Sequence, residues 1–462
     1  MVSDLQSWTR EGQLLGLVHK ALALCLILLL VTLDYTLMAS IVTFERSAGI
    51  WSPWLYKTGL LTLADIIILT ITVVTMFNII IRLSFPWSNY VAICLLVLVY
   101  LFIGLIQNLT IFTWWKGYLY DFKVFLCLTV PYLFLRMVPA GNILKWFSIP
   151  RLLMYGAIAG VVDTLVAHAL FESSLGISIG YPQYLNLPVV APIFPLQVSA
   201  IGILFAHKLR YKMIFLSLFL FELVNHINKI SLGYISTLVM LTALLFAFYP
   251  RVRLIGRTGL ILSGILAVEC LFVLLISNPF QVALLAEKSA GAVARSIELE
   301  NVLHSFGQNI PGFIGKGWGS SWFEYVRGPE GDIYSVGSSM GANIEEAMSL
   351  PVRFVFHWQP PAMLYKWGIL GIVLLSFLIA KYYQDLSRQI RKLKDLGLNA
   401  IDARYLYAIL IISCYFITAD FLWNTSLRES VFVSLLVFST EDEIRKRWAK
   451  LTGVRPLEPR VL

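Results

Sequence analysis

Long apolar segments alternate with short polar ones along most of this chain. The apolar segments are about 20 residues long, the length that an α-helix needs to cross the roughly 30 Å hydrocarbon layer of a membrane. They lack the alternation of a membrane β-barrel strand. The pattern therefore predicts an all-α polytopic membrane protein with about twelve transmembrane helices. The predicted helices cover residues 19–40, 58–82, 88–107, 117–138, 150–171, 191–208, 212–227, 231–249, 256–277, 358–381, 405–424 and 428–440.

One polar break is much longer than the others and divides the chain. Residues 1–277 hold the first nine predicted helices, and residues 278–357 form a large loop with amphipathic helices. Residues 358–440 hold the last three helices, and residues 441–462 form a basic tail. Because the remainder is mostly apolar helix, the long loop is where reactive polar groups are expected.

The distribution of Lys and Arg predicts the orientation in the membrane. With both termini in the cytoplasm, 24 of the 36 basic residues fall on the cytoplasmic side, nine fall outside, and three lie within or at the edge of predicted helices. This asymmetry is the one that cytoplasmic loops display. It also accounts for the net charge of +9, so the charge does not indicate a nucleic-acid partner. The long loop then faces away from the cytoplasm.

Composition supports the membrane class and gives no sign of a metal or cofactor. Hydrophobic residues make up 58% of the chain and charged residues 14%, against about 25% charged residues in soluble domains. The five cysteines lie inside apolar segments, without CxxC or Cys/His spacing, and are expected to pack as small apolar side chains. We therefore predict neither a bound metal nor a cofactor.

Several carboxylates fall inside predicted helices, where a charge is costly and marks a functional candidate. On the predicted orientation all of them lie in the outer half of their helix. One interpretation is that each satisfies a bond between helices. Together they favour a water-accessible cavity that opens outward above a dry cytoplasmic half. The residues are Asp34, Asp65, Asp121, Asp163, Glu222, Glu269 and Asp420.

Arg295 is the first candidate for chemistry in the long loop. It lies in a predicted amphipathic helix, about residues 284–306, and Glu298 follows three positions later. A surface ion pair between the two is one interpretation. The other is an anion site, because a guanidinium is permanently charged and binds phosphate oxygens in a bidentate manner.

A glycine-rich segment and a histidine follow Arg295 along the loop. Gly315-Lys316-Gly-Trp-Gly319 predicts a tight turn, in which Lys316 either adds charge near a phosphate or is solvated. His357 precedes a helix that opens with two prolines, and the positive end of the helix dipole favours a neutral imidazole there. A neutral imidazole can act as a general base. An interfacial histidine without a role is the alternative, and His226 and His304 compete for the assignment.

The order of these parts resembles the O-antigen polymerase and O-antigen ligase superfamily. The resemblance is carried by an Arg-bearing outer helix, by the Pro311–Gly319 turn, and by a His that opens a helix continuing into Gly368-Ile-Leu-Gly371. It implies a GT-C-like fold with the large periplasmic loop between helices 9 and 10. It further implies metal-independent glycosyl transfer outside a bacterial inner membrane.

The resemblance also implies roles for individual residues. His357 would deprotonate the acceptor hydroxyl, and Arg295 would hold the donor diphosphate. Lys229 stands where the family often has an arginine, and Trp358 follows the histidine where the family often has asparagine. The expected substrate-binding residues are Lys229, Lys316, Glu298, Asn301, Arg353 and His226.

The favoured function is polymerisation of undecaprenyl-diphosphate-linked oligosaccharide repeats of an exopolysaccharide, capsule or O-antigen. Ligation of glycan to lipid A core or to protein is the second hypothesis. A transporter or flippase of a lipid-linked glycan, or a non-catalytic assembly partner, belongs to another class. The expected partners are the donor lipid, a glycan acceptor, the lipid bilayer and, as a candidate, a chain-length regulator.

Overall fold

The computed structural model describes residues 16–31, 63–82, 85–110, 115–138, 142–175, 193–206, 208–226, 303, 311–318, 322–323, 352–353, 359–423 and 427–453. The regular elements of the described part are helices, together with one pair of two-residue strands. The first seven helices are α1 (Gly16–Val31), α2 (Leu63–Arg82), α3 (Asn89–Thr110), α4 (Trp115–Met137), α5 (Ile149–Leu175), α6 (Ile193–Phe205) and α7 (Leu209–His226). A 3-10 helix, Asn142–Phe147, precedes α5.

The described elements of the second half include the longest helix, Gln359–Asp395. They are α8 (Pro311–Ile314), β1 (Trp322–Phe323), β2 (Val352–Arg353), α9 (Gln359–Asp395), α10 (Ala400–Trp423) and α11 (Leu427–Thr452). The strands pair antiparallel, with Trp322 opposite Arg353. They join the two sides of the long loop, which the all-α expectation did not include.

Several described helices are apolar enough to span a membrane. Three are also long enough by themselves, within Asn89–Gln107, Met363–Asp395 and Ala400–Thr418. Shorter apolar stretches occupy Gly16–Val31, Asp65–Ile81, Ile149–Val162 and Phe194–Phe205. These helices agree with the predicted membrane class. The predicted helices at 231–249 and 256–277 lie outside the described residues, as does the loop helix at 284–306 apart from Leu303.

The core includes the packing of α4 on α11 and a cluster of aromatic rings from α6, α10 and α11. Phe194 of α6, Phe416 of α10 and Phe432 of α11 meet edge to face, with ring centroids 4.9 to 6.0 Å apart. All three rings are almost fully buried. Aromatic rings at this spacing add a geometric preference to their burial, so the three helices have a defined mutual arrangement.

Two helices extend well beyond their predicted ends. The helix α9 has 37 residues, about 55 Å at 1.5 Å per residue, and runs to Asp395 rather than to 381. Leu386, Ile390 and Leu393 are buried along this extension at helical spacing, so packing continues the helix among charged residues.

The helix α11 continues to Thr452, twelve residues beyond the predicted end of this helix at residue 440. Part of the expected tail is helical. Ion pairs four residues apart, Glu441–Arg445, Asp442–Lys446 and Glu443–Arg447, support this continuation.

The end of the bundle that the sequence assigns to the cytoplasm contains a buried polar network. Arg136 of α4 and Glu441 of α11 lie 2.9 Å apart, and both side chains are buried. The Tyr132 hydroxyl lies 2.9 Å from the Glu441 carboxylate and 2.8 Å from the Ser88 hydroxyl, and Arg136 Nε donates to it. The predicted helix ended at residue 440, so Glu441 was not among the carboxylates expected inside the membrane.

Candidate functional site

The glycine-rich segment of the long loop lies between α3 and α9. The amide of Lys316 donates to the carbonyl of Tyr365 (2.7 Å), and the amide of Gly317 donates to that of Lys366 (3.0 Å). The amide of Trp318 donates to the carbonyl of Tyr100 in α3 (2.9 Å). Three consecutive amides thus bind two helices. We call residues 315–318 the docked turn.

Glycine is required in the docked turn because backbones approach closely on both sides. Gly315 and Gly317 have φ angles of 86° and 88°, the left-handed region in which other residues are strained. A side-chain carbon on Gly317 would also overlap the backbone of Gly104 in α3. The predicted close backbone approach is therefore confirmed, and it is to two helices.

The docked turn contacts α9 at a kink in that helix. Gly368 has φ 60° and ψ 179°, so two helical segments meet there rather than one continuous helix. A side-chain carbon at Gly368 would overlap the backbone of Gly315 and Ile314. Gly368 and the carbonyls of Tyr365 and Lys366 thus provide the surface of α9 that receives the turn.

Aromatic side chains close the space around the docked turn. Trp318 is 1% exposed and meets Trp367 edge to face, with ring centroids 5.5 Å apart. Tyr100 packs on Trp367 with ring centroids 4.7 Å apart. Large rings buried on both sides of the turn make it part of the helical core.

A buried ion pair lies directly beside these rings. Lys366 Nζ in α9 is 2.7 Å from Asp121 Oδ2 in α4, and the two side chains are 6% and 0% exposed. The same ammonium lies 5.9 Å from the centre of the Trp318 ring, within cation–π range. The pair therefore links α4, α9 and the docked turn.

A second ion pair lies two residues further along α4. Lys123 Nζ is 2.8 Å from Asp65 Oδ2 in α2. Asp65 and Asp121 thus each form a bond between helices, which was one of the two interpretations of the intramembrane carboxylates. Glu222 of α7 is buried beside Gly160 of α5. The side chains of Asp34, Asp163, Glu269 and Asp420 lie outside the described ones.

Lys316 is the charged side chain of the docked turn. It is half-buried, and burial lowers the pKa of its ammonium from the ordinary value of 10.5. Among the described residues it has no ion-pair partner. A partly desolvated ammonium without a counter-charge attracts an anion more strongly than a fully hydrated one does.

The remaining predicted site residues are described only in part. Arg353 lies in β2 and pairs with Trp322 in β1. Trp322 comes four positions after the last residue of the docked turn. His226 is the last residue of α7. His357 lies outside the described residues, two positions before α9 begins. Arg295, Glu298, Asn301 and Lys229 also lie outside them.

Sequence reasoning missed the Asp121–Lys366 pair. It treated Asp121 as one of seven similar carboxylates and left Lys366 without a role. A signal was present, since an intramembrane lysine and an intramembrane aspartate were predicted at the outer ends of two helices. Opposite charges at similar depth in a membrane are expected to pair.

Metal ligation finds no support in the described part of the chain, where no group of three or more His, Cys, Asp or Glu side chains comes together. Comparison with known proteins adds no relative: no family model, no curated protein and no solved structure matches this chain.

Proposed function

We propose that this chain is an inner-membrane glycosyltransferase that polymerises undecaprenyl-diphosphate-linked oligosaccharide repeat units of a bacterial surface polysaccharide. The observation that carries the proposal is the position of Lys316. Its half-buried ammonium has no ion-pair partner among the described residues, and it sits in a turn held against the start of α9, the helix that His357 precedes.

In the proposed reaction the acceptor hydroxyl of one glycan attacks the anomeric carbon of the donor sugar. The new glycosidic bond forms as the bond to the diphosphate oxygen breaks, and undecaprenyl diphosphate leaves. His357 takes the proton of the acceptor hydroxyl as general base. Arg295 and Lys316 bind the diphosphate and stabilise the negative charge that develops on it.

The proposed mechanism is metal-independent, because these two cations supply the charge that a divalent ion would otherwise provide. The proposed architecture is GT-C-like with twelve transmembrane helices and both termini in the cytoplasm. The long loop then places Arg295, Lys316 and His357 on the periplasmic side, where lipid-linked repeat units are polymerised.

The lipid-linked glycans of a deletion strain test this function. A polymerase predicts that single repeat units on undecaprenyl diphosphate accumulate and that long polymer is lost. Intact polymer that remains on the lipid would assign the chain as a ligase instead. Normal polymer, fully transferred to its acceptor, would contradict both forms of the proposal. Extraction of the lipids followed by mass spectrometry separates the three results.

A further inference from the structure

We infer that the Asp121–Lys366 ion pair is a positioning element of the proposed transferase: it holds the docked turn and the first segment of α9 in register with each other. The inference rests on the proposed function for its catalytic meaning. Its structural part rests on contacts of described residues alone.

Burying the two charges of this pair is costly. Both ions lose their hydration, and a buried pair is often no more stable than apolar side chains of similar size. Asp121 and Lys366 are nonetheless both almost fully buried. Stabilisation of the fold is therefore a weak explanation for the burial of these two charges. A better explanation is that the pair fixes the positions of the groups around it.

The pair contacts the docked turn through Lys366. Lys366 contacts the docked turn twice, because its carbonyl accepts the amide of Gly317 and its ammonium lies over the ring of Trp318. Asp121 fixes that ammonium from α4. Asp121 of α4 is thus connected through Lys366 to both the backbone of Gly317 and the side chain of Trp318.

The kink at Gly368 divides α9 into two helical segments. Since the helix is not continuous there, residues 359–367 are not held in line by the long segment at 369–395. Their position depends on lateral contacts, which include the ion pair, the Tyr100–Trp367 packing and the two hydrogen bonds from the docked turn. Lys366 is about 10 Å along the helix from Gln359. His357 comes just before that segment, so losing the pair is expected to displace it relative to Lys316.

The test uses full-length protein in lipid nanodiscs, with donor and acceptor glycans on undecaprenyl diphosphate. Lys366→Met and Asp121→Asn each leave one buried charge without its partner, and Lys366→Arg keeps the charge. Asp121→Asn/Lys366→Met removes both charges, so it remains informative if a single variant does not fold. Arg388→Met breaks an exposed pair with Asp385 on the same helix and is the matched control.

Two readouts are needed. Hydrogen exchange at the amides of residues 316–318 reports the docked turn without any activity, and it is expected to rise in Lys366→Met but not in Arg388→Met. Turnover is expected to fall by about 10- to 100-fold, the effect of a misplaced reactive group. Lys366→Arg is expected to restore most of the turnover, and the pH profile is expected to keep its shape.

The results separate the two claims. Unchanged exchange at residues 316–318 in both Lys366→Met and the double variant would overturn the inference, whatever the activity. A shifted pH profile in Lys366→Arg would also overturn it, because Lys366 would then take part in proton transfer. Absence of transfer by the unaltered protein would overturn the proposed function, while raised exchange in the variants would still support the positional role.

Discussion

Gly104 shows how closely single residues determine the proposed site. It lies in α3 directly under the docked turn, and a side-chain carbon there would overlap the carbonyl of Trp318. The neighbouring atoms are backbone, which cannot rotate away as a side chain can. The docked turn therefore depends on a residue more than 200 positions earlier in the chain.

The Gly104→Ala variant is expected to be destabilised by about 1–3 kcal/mol, as in other overpacked sites, and to lose transferase activity as the turn is displaced. Gly16→Ala is its matched control, since Gly16 also lies in a helix but has open space around it. Thermal unfolding in detergent, followed by tryptophan fluorescence, measures both. Equal melting temperatures for the two variants would argue against the close approach of α3 and the turn.

At the scale of elements, charged side chains determine how helices are joined. The sequence places charges at helix ends, but it does not indicate which helices they connect. Arg136 and Glu441 are an example, because they join α4 to α11 and recruit Tyr132 and Ser88 into one buried network. This network is the polar counterpart of the aromatic contacts among α6, α10 and α11.

Replacing Glu441 by Gln is expected to lower the free energy of unfolding by about 3–5 kcal/mol, because it leaves the buried Arg136 without its counter-charge. Lys446→Met removes an exposed partner on the same helix and is expected to have little effect. Denaturant titration of the detergent-solubilised protein compares them. Equal free energies of unfolding for Glu441→Gln and Lys446→Met would contradict a stabilising role for the Arg136–Glu441 pair.

Hydropathy predicted helices well where the surroundings are apolar and poorly where they are not. The predicted 88–107 and 117–138 agree with α3 and α4 within a few residues. The extension of α9 to Asp395 was missed because its charged residues lower the hydropathy while its buried face keeps helical spacing. The helical spacing of its apolar residues, rather than their average hydropathy, indicates that the helix continues to Asp395.

At the scale of the whole molecule, the site shows what a sequence alone can reveal. The glycine turn and its lysine were recognisable because a tight turn needs glycine at fixed positions. Their docking place was not, because Asp121 and Lys366 are 245 positions apart and only the packing of α3, α4 and α9 brings them together. The roles of Arg295 and His357 stay predictions, since both lie outside the described residues.

Orientation is the whole-molecule property on which the proposal depends. Alkaline phosphatase fused after residue 310 is expected to be active, because this enzyme requires the periplasm, and green fluorescent protein fused after residue 453 is expected to fluoresce in the cytoplasm. The positive-inside distribution of Lys and Arg is the reason for both expectations. The opposite pattern would place the docked turn on the cytoplasmic side and remove the proposed periplasmic site.

The most direct test of the central claim is a transfer assay with the purified protein in nanodiscs and a synthetic undecaprenyl-diphosphate-linked repeat unit as both donor and acceptor. The unaltered protein is expected to form glycan chains of two or more repeats and to release undecaprenyl diphosphate. His357→Ala and Arg295→Ala, each with an unchanged melting temperature, are expected to form none. Full polymer formation by both variants would contradict the account of this chain as a His-dependent glycosyltransferase.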